Sequence, residues 1–401
     1  MKKSLIALAV ASAFVAPAAM AEVNVYGKVD MAFGSTNNGA ISTNQISSQV
    51  TKLGFKGSED LGDGLNVIWQ IEQQIDIDNA ASGQSSHNTF ATRNSFAGLK
   101  SSSMGTVLMG RHDTPYKLAT RGLDPFGDQL ADNRSLMGGA GGANGPTATN
   151  HYSNTSAAAF DGRQGNVLAY ITPDMNGFTG AVAYVAGAET ATASTDTKGS
   201  AWSLMGTYKA DALYGALAYE VHDLGTAGTG TIVGGAAGNF AAAGTKEHAW
   251  KLGVGYTLSA FDLGFVYEKT TDNLGGAGGG QTNDMLAGAC TAVGQNCYGH
   301  SAYTLSGKYS FSNDDVKLAY TAAGKLNGAA AGTDTSAKQW SVGYDHNLSK
   351  TTSLYAQYTS IKNAANATYS VANYGSTAGG FAASAAGQSV NGFGLGLKHS
   401  F

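Results

Sequence analysis

The stretch Gly392-Phe393-Gly394-Leu395-Gly396-Leu397-Lys398-His399-Ser400-Phe401 decides how this chain folds. Its apolar residues fall at every second position, so a β-strand here would carry them on one face. Chain termini usually fray unless a sheet ties them down, whereas a terminal strand of this kind is typical of a closed transmembrane β-barrel. We therefore expect a barrel whose last strand ends at Phe401, with this aromatic residue as its C-terminal assembly signal.

The other end of the chain has the three parts of a secretory signal. Lys2 and Lys3 precede an apolar run from Leu5 to Val15, and Ala19-Met20-Ala21 supplies small residues for cleavage. We expect residues 1–21 to be removed and residues 22–401 to form one barrel domain. The apolar run is shorter than the roughly 20 residues that a membrane-spanning helix needs, and no later stretch reaches that length.

The composition also suits a wall that contacts lipid. The 401 residues include 56 glycines, 19 tyrosines and only 5 prolines, and 13% of them are charged, where soluble domains carry about 25%. The formal charge of −4 becomes −6 when the two lysines of the signal are removed. This balance gives no reason to expect a nucleic-acid partner.

Alternation of apolar and polar residues recurs along the whole chain. It is clear between Leu65 and Ile71, where Val67 and Trp69 share one face and Asn66 and Gln70 the other. About sixteen such segments can be counted, and an even number places both termini on one side of the membrane. The expected fold class is all-β, a transmembrane antiparallel β-barrel of about 16 strands.

The connections alternate between short turns and long loops. The long ones run roughly from 34 to 48, 79 to 91, 113 to 161, 188 to 198, 224 to 245, 272 to 298, 325 to 334 and 363 to 388. Short periplasmic turns and long external loops produce this rhythm. A soluble sandwich or propeller also has many short strands, but neither predicts this alternation together with a signal and a terminal aromatic residue.

Four segments carry a more specific pattern: Glu22–Asp30, the glycine-rich Lys52–Leu65, Gly105–Arg111 and the terminal Gly-Leu-Lys-His-Ser-Phe. They resemble the Gram-negative general porins of the Neisseria and β-proteobacterial type. The resemblance implies a homotrimer in the cell outer membrane, in which each barrel has a water-filled channel for passive diffusion of ions and small hydrophilic solutes. Outer-membrane lipid, lipopolysaccharide and the barrel-assembly machinery are the other partners that it implies.

A barrel of this size is wide enough for sugars, so selectivity requires a constriction. The longest loop, 113–161, is the third long one, and the resemblance implies that the third loop folds back into the barrel. We expect its segment around Leu123 to Asp132 to lie in the pore. The acidic residues expected there are Asp124, Asp128 and Asp132.

The resemblance places basic wall residues opposite this loop. The candidates are Lys52, Arg93, Arg111 and Arg163. Lys52 has inward parity because Leu53 and Phe55 would face lipid, whereas Arg93 and Arg111 share the parity of lipid-facing neighbours and would need a bulge or a bend. Such a cluster facing acids would set up a transverse field. Whether bases or acids dominate, and hence whether anions or cations pass faster, stays open.

Cys290 and Cys297 lie in one loop of a chain exported to an oxidising compartment, so we expect a local disulfide. His300 follows closely, but two cysteines and one histidine in a glycine-rich loop do not make a convincing metal site. We expect no metal and no cofactor.

The sequence contains none of the nucleophile, phosphate-loop or zinc-protease motifs, so we do not expect an enzyme. Alternatives remain. A substrate-specific channel would bind sugars or aromatic solutes on inward aromatic residues such as Tyr26 and Tyr355, and an outer-membrane barrel hydrolase would hide a catalytic pair at its rim. A role of the loops as an adhesin or phage receptor could accompany transport.

Overall fold

The computed structural model describes residues 22–75, 77–78, 90–138, 160–186, 200–223, 246–272, 295–296, 299–371 and 383–401. The proposed signal, 1–21, lies outside these residues, so its removal stays a prediction. The described chain is almost entirely antiparallel strand, with one short helix, α1 (Pro115–Thr120), and two short 3-10 turns at Arg121–Leu123 and Asn133–Ser135. No helix in these ranges is long and apolar enough to cross a bilayer.

The strand segments are β1 (Glu22–Asn37), β2 (Ser42–Ser48), β3 (Lys52–Gly62), β4 (Leu65–Gln74), β5 (Ser95–Ser101), β6 (Gly105–Asp113), β7 (Arg163–Ile171), β8 (Phe178–Val185), β9 (Ser200–Ala210), β10 (Leu213–Asp223), β11 (Lys246–Leu258), β12 (Phe261–Asp272), β13 (Ser301–Phe311), β14 (Asp314–Ala323), β15 (Ala337–Asn347), β16 (Thr352–Asn363) and β17 (Val390–Ser400).

The sheet closes because β1 pairs with β17, from Lys28 opposite Ser400 to Asn37 opposite Asn391. The segments β2 and β3 both pair with β1, so they form one strand that is interrupted near Val50, whose φ is +52°. The 17 segments therefore build a barrel of 16 strands. Closure leaves no open sheet edge in the hydrocarbon, where an unpaired backbone group would be costly. The predicted fold class and the even strand number are confirmed.

One predicted loop is wrong. The first long connection, expected at 34–48, is a turn of four residues, 38–41, because β1 continues to Asn37 and β2 begins at Ser42. The polar residues Ser35 to Asn37 belong to β1, and their backbone groups pair with residues of β2 and β17. The longest connection does lie between β6 and β7, as expected.

Side-chain exposure shows which face meets lipid. Along β11 the exposed residues are Trp250, Leu252 and Val254, whereas Ala249 and Lys251 between them are buried. Successive side chains of a strand point to opposite faces, so the even positions of β11 face outward and the odd ones inward. The same alternation along the other long strands gives an apolar outer surface and a polar interior.

Aromatic rings pair across strands at both ends of the barrel. Near the short turns Phe178 lies 4.3 Å from Tyr208, and Phe261 lies 4.5 Å from Tyr309. Toward the long loops a further pair, Tyr320 and Trp340, lies 4.7 Å apart. These rings form the two girdles typical of membrane barrels, which fixes the short turns at one membrane interface and the long loops at the other.

The terminal residue joins the closing ladder. The Phe401 N–H donates to the Gly27 carbonyl at 3.1 Å, and the Gly27 N–H donates to the Phe401 carbonyl at 2.9 Å. The Phe401 ring lies over Gly27, where an added Cβ would overlap the ring and lie 2.9 Å from the Lys52 carbonyl. Only glycine leaves room for this contact.

We predict that Gly27→Ala lowers the free energy of unfolding by about 1–3 kcal/mol, because the methyl group overpacks the closing seam. Gly307→Ala is the matched control, since a Cβ there would meet Leu263 at an ordinary 3.6 Å; its effect should stay within about 0.5 kcal/mol. Urea unfolding from phospholipid vesicles measures both. Equal losses in the two variants would contradict the role of the Phe401 contact.

Candidate functional site

The chain turns into the barrel directly after β6. We call residues 114–138 the inner loop. It begins with α1, where the Thr114 hydroxyl accepts a hydrogen bond from the Lys117 N–H at 3.4 Å and proline occupies the first turn, a favourable helix start. The Tyr116 N–H then donates to the Ser203 hydroxyl at 2.9 Å. Ser203 has inward parity on β9, so α1 lies against the inner wall.

The rest of the inner loop follows the wall from strand to strand. The Tyr214 hydroxyl donates to the Ala119 carbonyl at 2.6 Å, and the Ser306 hydroxyl to the Leu123 carbonyl at 2.7 Å. Farther round, the Gln339 amide donates to the Ala131 carbonyl at 3.3 Å. The predicted segment from Leu123 to Asp132 therefore lies inside the barrel, along β10 to β15.

Glycines of the wall make room for this path. Side-chain atoms of the inner loop occupy the space that a Cβ would need, at 2.8 Å for Thr120 over Gly253 and 2.7 Å for Leu123 over Gly255. Three more inward glycines, Gly264, Gly343 and Gly392, are covered in the same way by Leu123, Phe126 and Leu130. A side chain at any of these positions would push the inner loop toward the pore axis.

One carboxylate holds both ends of the inner loop. Glu268 on β12 accepts a hydrogen bond from the Tyr116 hydroxyl at 2.8 Å and another from the Gly138 N–H at 2.8 Å. Its side chain is buried and lies 3.4 Å from the Lys251 ammonium, which also pairs with Asp161 at 2.5 Å. A buried carboxylate with charged and neutral donors on both oxygens is strongly held. We call this group of five residues the Glu268 clamp.

The three aspartates predicted in the pore lie close together, but their partners are arginines of the inner loop itself. The Arg121 guanidinium contacts Asp132 and lies 3.0 Å from Asp128. Arg134 lies 2.9 Å from Asp128 and 3.4 Å from Asp132. Asp124 accepts the Asn133 N–H at 3.0 Å. These ion pairs brace the inner loop and neutralise most of its negative charge.

Burial and these charges give the three aspartates different pKa values. Burial next to Asp132 raises the pKa of Asp124 to about 6. Burial would also raise the pKa of Asp132, but Arg121 and Arg134 outweigh it and hold this pKa at about 2. The same arginines, with smaller contributions from Lys117 and Arg93, outweigh burial at Asp128 and keep its pKa well below the usual range. Asp124 is therefore the one of the three that titrates near neutral pH.

The wall across the channel is lined by Lys52, Arg93 and a buried acid, Glu72. Lys52 lies 2.9 Å from Glu72, and the Arg93 Nε lies 2.6 Å from it. Arg93 sits in the bend before β5, where its N–H donates to the Glu72 carbonyl, so the bend required by its parity is present. Glu72 was not among the predicted site residues, although a carboxylate at an inward position of β4 was a signal that could have identified it.

Arg111 and Arg163 lie near the point where the inner loop leaves the wall. Arg163 is 3.0 Å from Asp113 and donates to the Asn94 side chain at 2.7 Å. Asp113 also pairs with Lys117 at 2.8 Å. Arg111 keeps the parity of Met109 and donates to the Thr92 carbonyl at 2.9 Å. The structure thus brings Arg163 onto an acid of the site, whereas Arg111 makes its hydrogen bond to a backbone carbonyl and lies near enough to Asp113 and Arg93 for their charges to act on it.

Among the charged residues that belong to the inner loop and to this wall, bases outnumber acids. The bases are Lys52, Arg93, Arg111, Lys117, Arg121, Arg134 and Arg163, and the acids are Glu72, Asp113, Asp124, Asp128 and Asp132. The exposed members differ: the side chain of Asp128 is 32% accessible and that of Lys52 is 27%, whereas Asp124 and Asp132 are at most 1% accessible. Arg121 is 19% accessible, and Arg93 and Asp113 are both 12% accessible, so solutes would meet acids as well as bases, with Lys52 and Asp128 the most accessible of each.

The predicted disulfide, Cys290 to Cys297, lies outside the described residues and stays a prediction. Within the described ranges no group of histidine, cysteine, aspartate and glutamate side chains could hold a metal ion.

Comparison with known proteins identifies relatives of one kind. Residues 7–367 match the model of the Gram-negative porin family. The outer membrane porin protein 32 of Delftia acidovorans is 29% identical over 410 residues, covering all of both chains. The major outer membrane protein P.IB of Neisseria meningitidis serogroup B is 40% identical over 126 residues, which cover 29% of this chain and 35% of the relative. Among solved structures, an anion-selective porin from Comamonas acidovorans has a TM-score of 0.70 at 23% identity and covers 95% of this chain and 100% of its own.

We predict that Glu268→Ala frees the inner loop without preventing barrel closure. Losing the carboxylate removes both hydrogen bonds and leaves Lys251 with Asp161 alone, and breaking a buried pair in this way costs about 3–5 kcal/mol. Trypsin should then cut after Lys117 or Arg121, which the wild-type barrel protects. Asp262→Ala is the control on the same strand, because Asp262 and its partner Lys308 are both only partly buried. Resistance of the Glu268→Ala variant to trypsin would contradict the clamp.

We predict that acidification increases the preference of the channel for anions. Because the pKa of Asp124 is raised to about 6, this residue takes up a proton as the pH falls from about 7 to about 5, which removes one negative charge beside the pore. Zero-current potentials in a salt gradient measure the change. The Asp124→Asn variant should show a smaller pH dependence over this range, and an unchanged dependence would assign the titration elsewhere.

Proposed function

The chain belongs to the Gram-negative porin family, and we propose that it is a diffusion channel with a preference for anions, set by the inner loop and the basic wall that faces it. As a porin it lies in the cell outer membrane, forms a channel and is not an enzyme.

The observation that carries the proposal is the internal pairing of the inner-loop acids. Arg121 and Arg134 neutralise Asp128 and Asp132 within the loop, so the basic wall is left with Glu72 and Asp113 as its own counter-charges. A charge in a lumen with low-dielectric walls acts on passing ions more strongly than one in bulk water. The excess of bases around the site therefore favours anions.

The field across the opening also has a direction. It points from the wall, where Lys52 and Arg93 share one acid, toward the inner loop, whose acids are paired with its own arginines. Rings of fixed charge at a narrow point select ions by sign and orient dipolar solutes. We propose that small hydrophilic solutes pass with their negative ends toward this wall.

The description of one protein of similar fold agrees with a preference for anions. The protein from Comamonas acidovorans is described as an anion-selective porin. At 23% identity this likeness shows the fold alone, so the charges of this chain must carry the argument.

A substrate-specific channel finds less support in the interior. Tyr355 is 4% exposed, and its hydroxyl donates to Asp30 at 2.8 Å. The Tyr26 hydroxyl donates to Glu72 at 3.0 Å, and the Lys56 ammonium lies 5.2 Å from its ring. Both inward tyrosines are thus engaged with wall residues, so we favour general diffusion over binding of a particular sugar or aromatic solute.

We also propose the homotrimer that membership of this family implies, with outer-membrane lipid and lipopolysaccharide around it and assembly by the barrel-assembly machinery. Chemical cross-linking of the folded protein in outer-membrane fragments should give a species of three subunits that dissociates on heating. If cross-linking gives only the monomer band, the trimer is contradicted.

Lys52→Glu tests the selectivity. The substitution changes the charge at the opening by two units, and at about 10 Å in water this amounts to about 0.8 kcal/mol for one ion. Because the change has opposite sign for anions and cations, the ratio of anion to cation permeability should fall by about fifteenfold at low salt. The zero-current potential of the purified oligomer in a planar bilayer should shift toward the cation side, and the shift should shrink in high salt.

The control for this test is Lys350→Glu, an identical charge change in the exposed turn between β15 and β16. It should move the potential much less. A wild-type channel that prefers cations would contradict the proposal, and equal shifts in the two variants would remove Lys52 from the site that determines selectivity.

A further inference from the structure

The outer surface of the barrel has three glycines side by side. Gly180 on β8 pairs with Gly206 on β9, and Gly215 on β10 lies one diagonal step away, opposite Tyr208. All three have outward parity, since Phe178, Leu204 and Leu217 on the same strands are exposed. Their missing side chains leave a depression in the lipid-facing wall, which we call the glycine groove.

The groove differs from other outward glycine positions of the described strands. Gly27 is covered by the Phe401 ring and Gly57 by the indole of Trp69, and a Cβ added at Gly307 would meet Leu263 at 3.6 Å. A Cβ placed on Gly206 or Gly215 would instead meet nothing within 4 Å. The protein covers Gly27 and Gly57 with its own side chains. A Cβ at Gly180 would meet Thr172 at an ordinary 3.4 Å, and Gly206 and Gly215 are bare.

The groove has a defined size and an almost wholly apolar lining. Its volume is about 510 Å³, and its rim includes Met175, Phe178, Leu217, Leu252 and Val254. The Phe178 and Tyr208 rings, 4.3 Å apart, close its end nearest the short turns. The groove therefore begins at the periplasmic girdle and extends into the hydrocarbon of the periplasmic leaflet.

We propose that the glycine groove binds one acyl chain of a phospholipid of the periplasmic leaflet. The girdle would lie at the headgroup level, and the chain would run past Gly215 and Gly206 toward Val182 and Leu204. An acyl chain that packs closely against the uncovered backbone gains dispersion contacts, which are lost if the depression stays unfilled.

We infer an acyl chain as the occupant because the groove is continuous with the lipid-facing surface. The groove opens sideways from the apolar belt, and its neighbours Leu204, Tyr219 and Trp250 in the next row are exposed in the same direction. The long loops leave the barrel at the opposite end of these strands. The groove is thus continuous with the membrane contact and lies away from the external loops.

The test uses the full-length folded oligomer in vesicles of phosphatidylethanolamine and phosphatidylglycerol. A small fraction of the phosphatidylethanolamine carries a photoactivatable diazirine in the middle of one acyl chain. After irradiation, labelled peptides are mapped by mass spectrometry. We expect label enriched on β9 and β10 relative to β13, whose single outward glycine, Gly307, has Leu263 beside it.

Filling the groove provides the matched variants. Gly206→Leu combined with Gly215→Leu should remove the enrichment, whereas Gly307→Leu, an equal change on the same outer surface, should leave it unchanged. Channel conductance, which the groove does not serve, reports that each variant has folded. If the leucine pair fails to fold, Gly206→Ala with Gly215→Ala should reduce the enrichment in part.

Three results would overturn the proposal. Uniform labelling of β9, β10 and β13 in the wild-type protein would show that the groove holds no chain preferentially. Enrichment that survives filling would place the bound chain elsewhere. If the other strands are labelled but β9 and β10 are not, another protein surface covers the groove. None of these results bears on ion selectivity, so the two proposals fail independently.

Discussion

The Glu268 clamp is the interaction on which the functional structure depends. A long connection leaves β6, crosses the interior and must return to β7, and without attachment its conformational entropy would keep it mobile. Glu268 accepts hydrogen bonds from Tyr116 near the start of the inner loop and from Gly138 near its end. Because both ends are tied to one rigid strand, the intervening residues have a fixed span to cover, and the wall glycines determine where they can lie.

The ion pairs of the inner loop depend on this fixed path. Arg121 and Arg134 come within reach of Asp128 and Asp132 only because the loop turns back on itself between them. These acids therefore do not pair with the opposite wall, where Lys52 and Arg93 both pair with Glu72. In the proposed account, selectivity depends on how the loop folds, and the overall charge of the chain, −4 by sequence, does not indicate its sign.

The sequence predicted the barrel because period-two alternation and the short and long connections are local signals that a closed sheet preserves. It missed the strand at Ser42–Ser48, whose polar residues lack that alternation. The sequence also led to the expectation that Asp124, Asp128 and Asp132 lie in the pore opposite basic wall residues, but it did not predict their ion pairs with Arg121 and Arg134. That pairing depends on tertiary contacts, and nothing in the spacing shows that Arg121 is nearer to Asp132 than Lys52 is. Glu72 and Glu268 have inward parity, yet parity alone does not say which inward acid holds a loop.

The central claim, that the inner loop rests against the wall while the channel conducts, is tested most directly by cross-linking. Ala131 of the inner loop packs with Ala319 of β14 in one buried cluster. In a background carrying Cys290→Ser and Cys297→Ser, cysteines at positions 131 and 319 should form a disulfide in the folded oligomer, and single-channel conductance should be the same before and after reduction. Failure of the bond to form in the conducting channel, or a conductance that changes when it closes, would contradict the account.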